Sequence, residues 1–146
     1  MNGLGKTGAS ITACKRSRFK RVLVIGPLAA RAVWAEEWPR FWPGSMIVEM
    51  ETTSDDIPET GQVVCTFEFA RRRQADLFIF GPWDLIIVDE FHELRGTDAK
   101  RTRAVMHPKE GLVARTKRFW ALTGTPLANH VGELYPILRL ARVYRG

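Results

Sequence analysis

Leu85-Ile86-Ile87-Val88-Asp89-Glu90 is an apolar run that ends abruptly in two acids. An unbroken stretch of Leu, Ile and Val of this length reads as a strand buried on both faces, as the strands of parallel sheets are. Parallel sheets bind ligands at the carboxyl ends of their strands, so both carboxylates stand where chemistry is expected. Taken alone, they also fit a strand-to-helix cap. The rest of the chain separates these readings.

Four more apolar runs flank this one: Arg21-Val22-Leu23-Val24-Ile25-Gly26, Met46-Ile47-Val48-Glu49-Met50, Gln62-Val63-Val64-Cys65-Thr66 and Arg118-Phe119-Trp120-Ala121-Leu122-Thr123. Helices are expected between them at 6–15, 29–42, 67–75, 98–107 and 130–143, while Glu51 to Gly61, rich in Thr, Ser, Asp and Pro, reads as a surface loop. Alternating helix and strand predicts an α/β fold: three layers, with a mostly parallel sheet covered on both faces. Gly26-Pro27, Thr66, Asp89-Glu90 and Thr123-Gly124-Thr125 then all fall at the carboxyl edge of that sheet. With no repeat, low-complexity tract or linker, residues 1–146 read as a single domain. A chain of this length can bury roughly 70% of its unfolded surface.

The opening residues complete the choice. Gly3-Leu4-Gly5-Lys6-Thr7-Gly8 fits both the GxGxxG dinucleotide fingerprint and, through Gly5-Lys6-Thr7, the end of a P-loop whose first glycine falls before Met1. A dinucleotide site needs an acid roughly 20 residues on, at the end of the next strand. That strand ends in Gly26-Pro27 and has none. A P-loop instead needs an acidic magnesium site on another strand, and Asp89-Glu90 supplies it. In this reading backbone N–H groups of the glycine turn and of the helix opening at Lys6 cradle phosphate oxygens, and Lys6 neutralises the β- and γ-phosphates. Thr7 ligates Mg²⁺, Asp89 holds it through its hydration shell, and Glu90 orients or deprotonates the attacking water. ATP and Mg²⁺ are the cofactors implied. The P-loop strand itself is expected ahead of Met1, which makes the domain N-terminally truncated.

Composition narrows the class. No apolar run approaches the roughly 20 residues a membrane-spanning helix needs, and the glycine-rich start is unlike a signal peptide. A soluble, intracellular protein is expected, with no membrane partner and with cytoplasm and nucleus both open. Cys14 and Cys65 are too few for a disulfide framework and form no zinc motif, so both read as buried thiols in a reducing compartment. The net charge of +6 is clustered at Lys15, Arg16, Arg18, Lys20 and Arg21, at Arg71-Arg72-Arg73, and at Arg115, Lys117 and Arg118. Each cluster fits a polyanionic partner or a solvated loop.

Asp89-Glu90-Phe91-His92 resembles the DExH box of superfamily-two helicases, and further stretches narrow the likeness to the Swi/Snf-like DNA-translocating ATPases. Asn2-Gly3-Leu4-Gly5-Lys6-Thr7 resembles their motif I, and Pro27-Leu28 with Trp34 and Glu37 resembles motif Ia. Thr66-Phe67-Glu68 is similar to the Thr-x-Tyr-Glu stretch after the third strand; Leu122-Thr123-Gly124-Thr125-Pro126-Leu127 with Asn129, Glu133 and Leu134 is similar to motif III. These motifs stand in family order over nearly the whole chain. Departures are Phe91 in place of a small residue, Ala29 where a serine is common, and Ala128 and His130 in place of amides.

The resemblance implies the first of two RecA-like lobes in a motor that couples ATP hydrolysis to translocation along, or remodelling of, duplex DNA. It implies nucleotide contacts from Gly3, Leu4, Gly5, Lys6 and Thr7, and coupling of the γ-phosphate state to DNA through Thr123, Gly124 and Thr125, with His92 bridging to them. Nucleic-acid contacts fall to Pro27, Leu28 and Thr66. His92 alone fits a hydrogen-bonded structural histidine as well as a coupling role, and Trp34, Trp38 and Trp42, four residues apart, fit a packed helix face better than a base-stacking platform. A second lobe, in cis or trans, is the implied partner because it brings the arginine fingers, worth about 10³ to 10⁵ in turnover. The lone lobe is therefore expected to hydrolyse ATP weakly or not at all. Two other readings remain: a catalytically inactive nucleic-acid-binding or protein-docking module, and a small P-loop kinase, which leaves Thr123 to Pro126 unexplained.

Overall fold

The five apolar runs form one parallel sheet. In the computed structural model, which describes residues 2–94 and 99–123, the elements run α1 (Asn2–Arg16), β1 (Val22–Gly26), α2 (Leu28–Phe41), β2 (Ile47–Glu49), β3 (Gln62–Thr66), α3 (Phe67–Arg72), α4 (Gln74–Ile79), β4 (Leu85–Val88), α5 (Ala99–Met106) and β5 (Phe119–Ala121). Short 3₁₀ turns occupy Phe91–Leu94 and Leu112–Arg115. The sheet order is β2-β3-β1-β4-β5. Central β1 is buried along its whole length; Val24 lies beside Val64 of β3 and Ile87 of β4.

Because successive strand residues point to opposite faces, each run feeds two cores. On one face Val22, Val24, Val64, Leu85 and Ile87 meet Ile11 and Cys14 of α1 and Trp34 and Trp38 of α2. On the other, Leu23, Ile25, Val63, Cys65, Ile86 and Val88 meet α3, α4 and α5 through residues such as Phe67, Leu77 and Val105. This is the three-layer α/β arrangement expected from the sequence. It also explains the tryptophans: Trp34 and Trp38 are fully buried, with ring centroids 6.5 Å apart, and Trp42 continues the stack at 5.7 Å.

The helices α1 and α2 touch through a missing side chain. A Cβ on Gly8 would come within 2.7 to 3.0 Å of three ring carbons of Phe41, so the ring occupies the space that glycine leaves open.

Several boundaries differ from expectation. α1 begins at Asn2 rather than Lys6, so Gly3, Leu4 and Gly5 form helical first-turn backbone instead of a turn ahead of the helix. Nothing at Gly5 resists this, since it carries no left-handed φ. The helix expected at 67–75 is two: the backbone breaks at Arg73 (φ −108°, ψ 24°) and resumes to Ile79. No Gly or Pro marks that break; the Arg73 guanidinium is tied to the Thr53 and Asp55 carbonyls, and the redirected α4 buries Leu77. The helix expected at 130–143 lies outside the described residues.

Arg21 leaves the surface cluster to which its sequence position assigned it. It is buried, donates to the carbonyls of Pro58, Gly61 and Phe80, and its guanidinium stacks 4.0 Å from the Trp83 ring centre. A planar fork of donors suits such a role. Among the described residues no helix is long and apolar enough to cross a membrane.

Cys14 and Cys65 are fully buried; burial pushes the Cys14 thiol up to about 12 and raises that of Cys65 as well. Since the thiolate is the reactive form, neither is expected to react with an aromatic disulfide reagent at pH 8 in the native protein. Both react at once in denaturant, which absorbance of the released thiol reports.

Candidate active site

The site forms where β4 stops. The amide of Asp89 still donates to the Ile25 carbonyl of β1 at 2.8 Å, and two residues on the amide of Phe91 donates to the Leu122 carbonyl at 2.8 Å. Held on both sides, Glu90 takes a left-handed conformation with φ 52°. A non-glycine residue there costs about 1–3 kcal/mol. Its own amide is satisfied by Asp89 Oδ1 at 2.9 Å.

Lys6 of α1 reaches this corner from 84 positions away in sequence. Its Nζ lies 3.1 Å from Asp89 Oδ1 and 3.1 Å from Glu90 Oε1. Burial works against the ammonium and is the largest single influence on it, but hydrogen bonds and charge from Asp89 and then Glu90 together outweigh burial. The net effect raises the Lys6 pKa, so the side chain is a cation throughout the physiological range. The convergence of lysine and acids expected from sequence is present.

Two features from the β1–α2 segment frame Asp89. Gly26 ends β1 directly beneath it: a Cβ there would lie 3.2 Å from the Asp89 Cβ and 3.4 Å from that of Ala30. Trp34 donates its indole N–H to Asp89 Oδ2 at 2.8 Å, in a fully buried hydrogen bond. Helical spacing marked Trp34 as a core residue and could not show where its N–H points.

His92 bridges the acids to the end of β5. Its Nδ1 is 2.8 Å from Thr123 Oγ1 and its Nε2 is 3.5 Å from Glu90 Oε2. The contact expected between the box histidine and the motif III threonine is therefore made, while Gly124 and Thr125 lie outside the described residues. Phe91, the departure from the family pattern, does not crowd the site; it is buried and packs edge-on against Phe119 at 5.8 Å.

Thr7 is buried next to Lys6. The first four N–H groups of any helix lack intrahelical partners, which leaves the backbone of Gly3, Leu4 and Gly5 suited to an anion in its helical form too. Asp89 and Thr7 offer hard oxygen donors, the set that suits Mg²⁺. Pro27, Leu28 and Thr66 gather at a separate cleft of about 460 Å³, whose walls also include Arg31, Glu93 and Arg101. Thr66 has a structural role there, since its hydroxyl accepts from the Phe69 amide at 3.1 Å and caps α3.

The basic clusters separate by environment. Arg71 and Arg72 both pair with Glu68, and Arg73 pairs with Asp76. Arg115 donates to the Phe78 carbonyl at 2.9 Å. Lys15, Arg16, Arg18, Lys20, Lys117 and Arg118 remain exposed.

The fold and its nucleotide-type edge define a RecA-like domain, and comparison with known proteins specifies the family. The SNF2-related domain matches residues 2–144, and the chain belongs to that family. It is 29% identical over 145 residues to the SWI/SNF-related matrix-associated actin-dependent regulator of chromatin subfamily A-like protein 1 of Xenopus tropicalis, covering 96% of this chain and 15% of that protein. It is 28% identical over 153 residues to the ATP-dependent DNA helicase DDM1 of Arabidopsis thaliana, covering 93% of this chain and 19% of that protein. Among solved structures, the SWI2/SNF2 ATPase core of Sulfolobus solfataricus in complex with double-stranded DNA superposes with a TM-score of 0.75 at 28% identity, over 94% of this chain and 29% of that one. The chain thus spans less than a fifth of the length of these two curated relatives. It is an SNF2-related domain, similar to proteins named as a regulator of chromatin and as a DNA helicase.

Two predictions follow from this geometry. Gly26→Val crowds Asp89 and Ala30 and is expected to lower stability by about 1–3 kcal/mol, measured by urea unfolding, with Gly26→Ala well below that. Arg71 and then Arg72 hold the Glu68 carboxyl well down, at about 2 against an ordinary 4.5. The stabilisation from these pairs is complete above pH 4.5 and is lost as pH falls through about 2. A carboxyl-carbon NMR titration is expected to show that low midpoint, and the double variant Arg71→Gln, Arg72→Gln to return Glu68 to the ordinary range.

Proposed function

We propose that this chain is the ATP-binding lobe of a DNA-dependent ATPase, hydrolysing ATP to move along or remodel duplex DNA when a second RecA-like lobe, in cis or trans, completes it. The observation that carries the reading is Lys6 Nζ, 3.1 Å from both Asp89 and Glu90 at the carboxyl edge of a parallel sheet. Lys6 exchanges these carboxylates for β- and γ-phosphate oxygens when nucleotide binds. First-turn amides of Gly3, Leu4 and Gly5 hold the phosphates, because small or backbone groups approach them most closely. Thr7 and Asp89 would hold Mg²⁺, which would supply positive charge to neutralise the phosphates. Glu90, released from Lys6, orients the attacking water and takes its proton.

His92 passes the state of this corner to Thr123, and from there Gly124 and Thr125 carry it towards the DNA path. Pro27, Leu28 and Thr66 border that path at the 460 Å³ cleft. Exposed lysines and arginines supply the nonspecific phosphate attraction, with a Kd on the order of 10⁻⁴ to 10⁻⁶ M. Support for DNA as partner comes from the double-stranded DNA bound by the Sulfolobus relative.

The test combines binding and turnover. Lys6→Ala is expected to abolish Mg²⁺-dependent ATP binding, whereas Glu90→Gln keeps binding and lowers turnover about 10²- to 10⁴-fold. Turnover is measured with a second lobe from a family member added, with and without duplex DNA. DNA binding that falls with salt but ignores nucleotide, with no Lys6-dependent ATP binding, identifies an inactive nucleic-acid-binding module instead.

A further inference from the structure

Asp89 has two carboxylate oxygens, and the structure treats them differently. Oδ1 faces the site, where it accepts from Lys6 Nζ at 3.1 Å and from the Glu90 amide at 2.9 Å. Oδ2 turns inward and accepts from the indole N–H of Trp34 at 2.8 Å. Trp34 is itself fully buried in the face formed by α1, α2 and the sheet, so its ring cannot follow the carboxylate if that rotates. Gly26 closes the floor beneath the Asp89 Cβ. The carboxylate is therefore anchored to the core at one oxygen and turned towards Lys6 at the other.

We propose that Trp34 is a positioning residue for the metal-binding carboxylate: its indole N–H holds Oδ2 so that Oδ1 is presented to the Mg²⁺ that accompanies nucleotide. This rests on the proposed reading of Asp89 as a metal ligand. The physical reason is orientation. A short aspartate on a strand end can rotate about its Cα–Cβ and Cβ–Cγ bonds, and Mg²⁺ tolerates little departure from octahedral geometry. When Lys6 moves to phosphate, Oδ1 loses that donor. The Trp34 bond at Oδ2 does not depend on Lys6 and continues to fix the carboxylate. Hydrogen-bond partners of ligating groups commonly change metal affinity 10- to 100-fold when removed.

The same helix provides a matched control. Trp38, one turn on, is equally buried and donates its indole N–H to Ser45 Oγ at 2.9 Å instead of to Asp89. Trp34→Phe and Trp38→Phe each remove one indole N–H from the same core, so their general effect on packing is comparable. Only the first touches the carboxylate.

The experiment measures the affinity of the full chain for a fluorescent ATP analogue twice, with Mg²⁺ and with EDTA, and takes the ratio as the gain from metal. Trp34→Phe is expected to reduce this gain about 10- to 100-fold while leaving the EDTA affinity, which rests on Lys6 and backbone amides, unchanged. Trp38→Phe is expected to leave both unchanged. An equal loss with and without metal, or the same loss in Trp38→Phe, overturns the proposal, because a structural role moves both quantities together. An intact gain in Trp34→Phe overturns it while leaving the ATP-binding function standing. Absence of Lys6-dependent binding in the unaltered chain removes both. Should Trp34→Phe fail to fold, the unaltered chain gives a second readout in ¹⁵N-tryptophan spectra. The Trp34 indole proton is expected to stay protected from solvent exchange when Mg²⁺ and nucleotide bind, and loss of protection on binding overturns the proposal.

Discussion

A single ammonium shared between two adjacent carboxylates ties the first helix of this protein to the middle of its sheet. Lys6 comes from α1 and Asp89 and Glu90 from the end of β4, and no backbone hydrogen bond joins those elements in the sheet ladder. Two acids side by side repel each other and would lose stability without a cation between them, so the lysine serves the empty fold before it serves any phosphate. That arrangement has a functional sense. Under the proposed function, the group that meets a polyphosphate is held charged and in place, and the groups to be freed for metal and water are occupied until the ligand supplies oxygens in their stead.

The rest of the architecture maintains this corner. Asp89 continues the β1 ladder, Phe91 engages the chain beyond β5, and Glu90 between them is forced into a conformation that few side chains adopt. Strain of that kind persists only where neighbours over-determine it. Here the neighbours are Gly26 and Trp34 of the β1–α2 segment, both against Asp89, and His92 alongside Glu90. The buried Phe91 anchors the far side, so a bulky residue in that position secures the loop instead of obstructing the site.

Much of this was legible in the sequence because the relevant signals are local. Five apolar runs of β-branched residues gave five strands within a residue or two of their expected ends, and the Lys6 to Asp89-Glu90 pairing followed from what phosphate chemistry requires. Other features were not local and could not be read. Arg21 looks like one more surface cation until three carbonyls and the Trp83 ring are seen around it. The break at Arg73 carries no Gly or Pro. The Trp34 indole is indistinguishable by spacing from that of Trp38, yet the first faces the Asp89 carboxylate and the second a serine. Helical periodicity reports which face is buried and is silent on where a polar atom on that face points.

The Phe41 ring fills the space above Gly8. That contact acts as a key in a slot: it fixes how far α1 can roll about its own axis, and Lys6 lies only two residues away on the same helix. The aim of the lysine is therefore set partly by an aromatic ring at the far end of α2. Any side chain at position 8 has to displace that ring, and with it the contact that sets the roll of the helix bearing the lysine.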